Sequence, residues 1–540
     1  MKKLIIFLLA LSALAPAKAE SSRYGIIPAP KAIVPAEGAF TLKNTTVLVV
    51  EARDTLFLEV AGDFAAQVAL TTGYKLLPGT ADSRSRIVLR QTAGLGDEAY
   101  RLTVAPDEVL VEASSAHGAF YGIQTLCQLL PAAIYGDTRA KGVRWQAPCC
   151  RIEDEPHFPY RGMMLDVGRY FMPKETVKKF IDLMAMHKLN RLQWHLTEDQ
   201  GWRIEIRKYP ELTRRGAWRD RSDLRPAEDG RPEKDPQPYG GYYTRQQVRE
   251  IVRYAADRFI EIVPEIEMPG HGLAALTSYP WLGCTGGPYS VWTHWGISDD
   301  VYCAGKETTF EFVEEVLSEV LDLFPSKLIH IGGDECPKSR WKACPHCQRR
   351  IREEGLKDEY ELQSYFIRRI ERWMHTRGRE IIGWDEILQG GVSKTAIIMS
   401  WNGKEPGIKA ARQGNPVIMV PKWHCYFDYS QTSDPDRYEP LGNPRYVPVR
   451  QVYRLEPCDQ LALPDQKRIM GVQCNLWTEY IGDIGHAQHM VLPRMAALSE
   501  IGWACDRKDY NDFVRRVPAL VRIYEAEGYR YAPYLFEGIE

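Results

Sequence analysis

Leu328-Ile329-His330-Ile331-Gly332-Gly333-Asp334-Glu335 runs from a short apolar stretch into two glycines and then two adjacent carboxylates. The apolar half reads as a buried strand. The glycines let the backbone turn there, or let a ligand approach closely. Neighbouring residues of a strand point in different directions. Asp334 and Glu335 are therefore expected to diverge, one able to pass a proton while the other holds a different part of a ligand.

Outward from this stretch, β-like and helical runs alternate from Tyr160 onward. The strand candidates are Arg161–Val167, Arg191–Thr197, Glu261–Glu267, Leu328–Asp334, Glu380–Glu386, Ala396–Trp401, Val417–Pro421 and Ile469–Trp477. Amphipathic runs lie between most of them: Lys174–Lys188, Thr244–Arg258, Thr308–Phe324, Glu359–Arg377 and Glu405–Gln413, with His486–Gly502 after the last strand. Eight such units predict an α/β fold, a (β/α)8 TIM barrel. A doubly wound open sheet is the competing architecture, but no G-x-G-x-x-G follows a strand. In a barrel the active site forms at the C-terminal strand ends. Those ends carry Asp166 and Arg169, Glu198 and Asp199, Glu267 and His271, Asp334 and Glu335, Trp384 and Asp385, Trp401, and Trp477 with Glu479. Helix capping accounts for a single acid at such a place, not for this succession.

The region before the barrel predicts a small α/β domain, with strands Thr46–Glu51, Arg86–Arg90 and Val109–Ala113 and helices Leu56–Thr72 and Ala116–Leu130. Nothing in it reads as catalytic, and His117 suits packing or capping. Cys150–Pro159, with two prolines and alternating acids, reads as the linker. The expected division is 1–19 signal peptide, 20–155 N-terminal α/β domain and 156–540 catalytic barrel with a C-terminal helix. Lys2 and Lys3 precede an apolar run, Leu4–Ala15, and Ala17-Lys18-Ala19 is an A-x-A cleavage site. A periplasmic or secreted location is expected. No later segment offers the ~20 apolar residues of a membrane span. A net charge of -2 argues against nucleic acid or an anionic membrane as partner.

The 12 cysteines leave several pairings open. Cys284 and Cys303 flank a glycine-rich loop and are candidates for a bridge. Cys344 and Cys347 form a C-x-x-C near Cys336, with His346 inside it, but a zinc reading lacks a fourth ligand. No metal site and no cofactor is expected. The charged run Arg219–Pro238 reads as a solvated loop over the barrel mouth.

His330-Ile-Gly-Gly-Asp-Glu335 resembles the signature of glycoside hydrolase family 20. So do Trp194-His-Leu-Thr-Glu-Asp-Gln-Gly-Trp-Arg203, Arg161-Gly-Met-Met-Leu-Asp-Val-Gly-Arg169 and Pro264-Glu-Ile-Glu-Met-Pro-Gly-His271, in the family's order. The small domain resembles the family's N-terminal domain. The resemblance implies an exo-acting β-N-acetylhexosaminidase. It would release terminal N-acetylglucosamine or N-acetylgalactosamine from glycans by a retaining, substrate-assisted mechanism through an oxazolinium ion.

By the same resemblance Glu335 is the acid/base and Asp334 orients the substrate's acetamide. Tyr426, in Cys425-Tyr-Phe-Asp-Tyr429, meets the acetamide oxygen. Trp384, Trp401 and Trp477 box the acetamide and support the ring. Arg169 and Glu479 hold the 3- and 4-hydroxyls, and Asp428 lies near the 6-hydroxyl. His271 stands behind Glu335. Its family partner is an Asp at the position of Glu198; Asp199 follows at once. The rival functions are a sugar-binding protein without catalysis, which would lack Glu335, and a two-carboxylate glycosidase, which needs neither the tyrosine nor the tryptophan box.

Overall fold

The computed structural model describes residues 23–80, 83–222 and 237–538. The expected signal segment lies outside the described residues. The chain packs into two units. One comprises residues up to Glu155 together with Asn511–Ile523, and the other comprises Pro156–Tyr510 with Tyr524–Glu540. Most of the helix Tyr510–Ala526, which the sequence division leaves with the barrel, thus groups with the smaller unit.

The smaller unit is a seven-stranded mixed sheet in the order Ala32–Thr41, Gln146–Asp154, Tyr100–Val104, Glu108–Ala113, Arg86–Gln91, Val47–Glu51, Leu77–Pro78. Leu56–Thr72 and Ala116–Leu129 are helices of its N-terminal part. The first half of the expected linker is instead part of an interior strand: Gln146–Asp154 pairs on both sides, with Ala32–Thr41 and with Tyr100–Val104. Cys150, Ile152 and Asp154 are buried while Arg151 and Glu153 are exposed. The alternating charges are therefore the outer face of a strand with a period of two. Only residues 155–159 remain as connector, ahead of the strand Tyr160–Asp166. His117 lies in the first turn of Ala116–Leu129, its Nδ1 3.3 Å from Asp97 Oδ2.

The larger unit is a closed barrel of eight parallel strands: Tyr160–Asp166, Arg191–His195, Glu261–Glu265, Leu328–His330, Glu380–Trp384, Ile397–Ser400, Val417–Met419 and Ile469–Leu476. The eighth pairs with the first, Leu476 opposite Leu165, and closes the ring. Every residue of Tyr160–Asp166 is buried, as expected of a parallel strand covered on both faces. The strands stop short of their expected C-terminal ends. The fourth ends at His330 because Gly332 and Gly333 take φ of +66° and +93°, which no strand ladder accommodates.

Helices Lys174–Met186, Arg245–Ala256, Glu307–Leu323, Glu359–His375 and Glu405–Gln413 follow strands one to four and six. Two begin on side-chain caps that satisfy orphan N–H groups. Thr244 forms a capping box with Gln247, and Asp358 accepts from Tyr360 and Glu361. The expected helix His486–Gly502 is two, Ile484–Val491 and Arg494–Ala504, parted at Pro493, which has no N–H to donate. Among the described residues no helix is long and apolar enough to cross a membrane.

Candidate active site

The turn after the fourth strand sets the two carboxylates. A Cβ on Gly332 would fall 1.7 Å from Glu267 Oε2. Space as well as φ therefore reserves the position for glycine. Past Asp334, Glu335 again takes a left-handed φ, +41°. This changes the divergence expected of a strand: one oxygen each of Asp334 and Glu335 and one ring nitrogen of His271 lie within 4.8 Å of one another. What separates the two acids is their surroundings. The Asp334 side chain is 12% exposed, that of Glu335 35%. Burial pushes the Asp334 carboxyl up to about 7, against the opposing pull of His271. Asp334 Oδ1 is buried and has no protein partner.

His271 follows the third strand on a turn with φ +48°. Its Nε2 lies 3.5 Å from Glu335 Oε2 and 3.9 Å from Asp334 Oδ2. Its Nδ1 faces both candidate partners, Glu198 Oε1 at 2.7 Å and Asp199 Oδ2 at 3.2 Å. Burial disfavours the imidazolium, but Glu198, Asp199 and Glu335 outweigh it and hold His271 well above the usual histidine range. Glu198 is buried too, yet Arg169, His271 and His195 keep it well below the usual carboxylate range. Both acids thus act on one ring nitrogen. Asp199 also accepts from Leu273 N–H at 3.0 Å and fixes the turn.

Arg169 contacts Asp166 Oδ2 at 3.4 Å and Glu198 Oε2 at 3.2 Å. Its guanidinium carbon sits 4.9 Å over the Trp477 ring. Its Nε is buried without a protein partner. Burial raises Glu479, with Arg169 opposing. Burial and the charge of Glu479 lift Asp428 well above the usual carboxylate range. Asp428 Oδ1 is also buried and unpartnered, while Oδ2 takes a long 3.4 Å bond from Asn443.

Four aromatic rings form a continuous wall. Trp384 and Trp477 have centroids 5.8 Å apart, Trp477 and Tyr426 6.1 Å, and Tyr426 stacks on Trp401 at 6.0 Å and 12°. Trp384 Nε1 donates to Glu265 Oε1 at 3.0 Å, and Trp401 Nε1 to Glu386 Oε2 at 2.8 Å. Asp385 accepts from the Trp401 and Asn402 amides and holds that corner rigid. Trp477 Nε1 is buried and unpartnered.

Sequence reasoning overlooked the support beneath this wall. Glu265 binds Gln193, His195, His330 and Trp384 at once. The signal was a carboxylate inside the apolar run Ile262-Val263-Pro264, where only a partnered charge is stable. Glu267 is buried beside Asp334, and burial followed by that charge raises it well above the usual range. Arg219 is not part of a solvated loop. It is buried and donates to Arg169 O at 2.7 Å and Ser222 Oγ at 2.8 Å. Its planar fork needs those acceptors, and residues 223–236 of that run lie outside the described residues.

Similarity to known proteins agrees with this geometry. The family description "Glycosyl hydrolase family 20, catalytic domain" matches residues 158–506, and "Glycosyl hydrolase family 20, domain 2" matches 23–155. A beta-hexosaminidase of Porphyromonas gingivalis is 43% identical over 92% of this chain, which spans 63% of that protein. A beta-hexosaminidase of Akkermansia muciniphila is 31% identical over 82% of this chain and 88% of its own length. The structure of a GH20 beta-N-acetylhexosaminidase from Streptomyces coelicolor superposes with a TM-score of 0.81 at 32% identity, covering 94% of this chain and 97% of that one. With both domains matched and the strand-end residues gathered around one aromatic wall, the chain belongs to glycosyl hydrolase family 20.

Proposed function

We propose that the protein is an exo-acting β-N-acetylhexosaminidase that uses its substrate's acetamide as nucleophile. The observation that carries this reading is Asp334: a buried carboxyl with an unpartnered oxygen beside the ring wall that includes Tyr426. An acetamide N–H satisfies that oxygen, the indoles cover the methyl and the sugar face, and Tyr426 O–H donates to the acetamide oxygen. Held this way, the oxygen is aligned for attack on the anomeric carbon. Glu335, the more exposed acid, protonates the leaving oxygen and then takes a proton from water. The ionised Asp334 stabilises the positive charge that develops on the oxazolinium nitrogen. Arg169 and Glu479 bind hydroxyls of the terminal sugar, and a pocket closed behind that sugar gives exo action.

Terminal β-linked N-acetylglucosamine or N-acetylgalactosamine on glycans is the proposed substrate. The apolar leader with its A-x-A site supports export to the periplasm or beyond. A two-carboxylate mechanism leaves the unpartnered Asp334 oxygen unexplained.

The test compares 4-nitrophenyl N-acetyl-β-glucosaminide with 4-nitrophenyl β-glucoside, and wild type with Glu335→Gln. Strong preference for the acetamido sugar is expected, with tight inhibition by a thiazoline analogue. Glu335→Gln is expected to lose roughly 10²–10⁴-fold with a poor leaving group. Comparable turnover of the plain glucoside would overturn the proposal.

A further inference from the structure

The C-x-x-C of Cys344 and Cys347 does not gather Cys336 or His346. It meets Cys284 and Cys303, which lie 63 and 44 residues before Cys347 in sequence, and all four sulfurs lie within 4.8 Å of one another. We propose that these four thiolates hold one structural zinc ion that fastens together the two loops carrying His271 and the Asp334–Glu335 pair.

Three of the sulfur separations match the edges of a tetrahedron. Cys303 Sγ is 3.7 Å from Cys344 Sγ and 3.6 Å from Cys347 Sγ, and Cys284 Sγ is 3.8 Å from Cys347 Sγ. Zinc–sulfur bonds of ~2.3 Å give a tetrahedral edge of about 3.8 Å. No pair is singled out. Cys303 is equally near two partners and so is Cys347, which describes a four-body cluster rather than two bridges. Three of the four residues are buried and Cys284 is half-buried. Such a closed, sulfur-only set suits soft-ligand tetrahedral zinc and leaves no open position for chemistry.

The backbone around the cluster is shaped for close approach. A Cβ on Gly305 would lie 2.2 Å from the His346 carbonyl carbon and 2.3 Å from the Cys347 nitrogen. The upstream loop can therefore reach the C-x-x-C turn only as glycine. Cys303 N–H donates to Leu282 O at 2.8 Å, and Gly283 bridges Tyr302, closing the neck of the loop. Cys344 stands at the residue before the helix Pro345–Glu353 and Cys347 sits in its first turn, where the helix dipole favours thiolate. Binding zinc to four thiols releases four protons and leaves the centre with two negative charges.

The cluster is tied to the acid/base through its neighbours. Tyr302, next to Cys303, donates its N–H to Pro269 O at 3.0 Å, and its ring would lie 2.8 Å from a Cβ on Gly272, beside His271. On the other side Trp341 Nε1 donates to Tyr302 O at 2.9 Å. A Cβ on Gly270 would lie 3.0 Å from Asp334 O. The metal would thus fix the spacing of two βα loops whose polar tips must align.

The test is metal analysis of the full-length protein expressed with zinc in the medium, combined with thiol titration. About one zinc per chain is expected, released only when a mercurial titrates four thiols. Cobalt exchanged into the same sites should show the thiolate charge-transfer and intense visible bands of tetrahedral sulfur coordination. His346→Ala should keep the zinc, whereas Cys347→Ser and Cys284→Ser should lose it and melt at lower temperature. If the variants do not fold, the wild-type zinc and thiol counts still decide. Zinc-free protein with these cysteines either reduced or joined as disulfides would overturn the proposal, and none of these readouts depends on what the barrel hydrolyses.

Discussion

Glu335 presents Oε2 3.5 Å from Nε2 of His271, so the acid proposed for catalysis lies beside a buried imidazolium. The imidazolium owes its charge to Glu198 and Asp199 on the opposite ring nitrogen. His271→Gln should lower kcat by roughly 10²-fold or less on a substrate with a poor leaving group. The loss should be smaller on one with a stable anionic leaving group, which needs little proton donation. Steady-state kinetics on the two aryl substrates check this, and equal losses on both would count against the pairing.

Asp334 carries a cost in stability. Its carboxyl titrates near 7 in the fold against an ordinary 3.8. Between those values the folded chain binds more protons than the unfolded one, so stability falls as pH rises through that window. Asp334→Asn removes that titration. The variant should melt higher than wild type at pH 8, with no such gain at pH 3, by at most about 4 kcal/mol. Melting curves at the two pH values test the difference; an equal gain at both would refute it.

Asp428 should make the tolerance of 6-sulfated sugars depend on pH. Burial and Glu479 raise its carboxyl well above the usual range, so at low pH it is neutral and can donate to a sulfate. As pH rises it ionises and repels the sulfate. The ratio of kcat/KM for unsulfated over 6-sulfated aryl substrate should climb with pH, and should become pH-independent in Asp428→Asn.

Two glycines of nearly equal φ separate conformational strain from steric demand. Gly332 (+66°) and Gly355 (+64°) both sit in the left-handed region, but only Gly332 faces an atom, Glu267 Oε2 at 1.7 Å. Gly355→Ala should cost about 1–2 kcal/mol, the backbone term alone. Gly332→Ala should cost clearly more and should also reduce kcat, because Asp334 and Glu335 hang from that turn. Thermal unfolding of the two variants in parallel is the measurement.

Much of the fold was legible because each barrel strand is a local apolar run with polar residues at one end. The strand Gln146–Asp154 was not. Its alternation of Arg151 and Glu153 with buried neighbours resembles linker composition until partners on both sides supply the ladder. Pro493 broke an apparently continuous helix for the same kind of reason: periodicity records which face is buried, not where the hydrogen-bond ladder stops.

In the site, sequence alone determined which residue types stand at the strand ends, since a barrel sends every such end to one face. Tertiary structure alone decided which partner each of them meets. Glu198 and Asp199 converge on one nitrogen of His271, Glu265 gathers four side chains, and Cys284 and Cys303 reach Cys344 and Cys347. Such meetings depend on the through-space separation of loops far apart in the chain, and residue order carries no direct record of that distance.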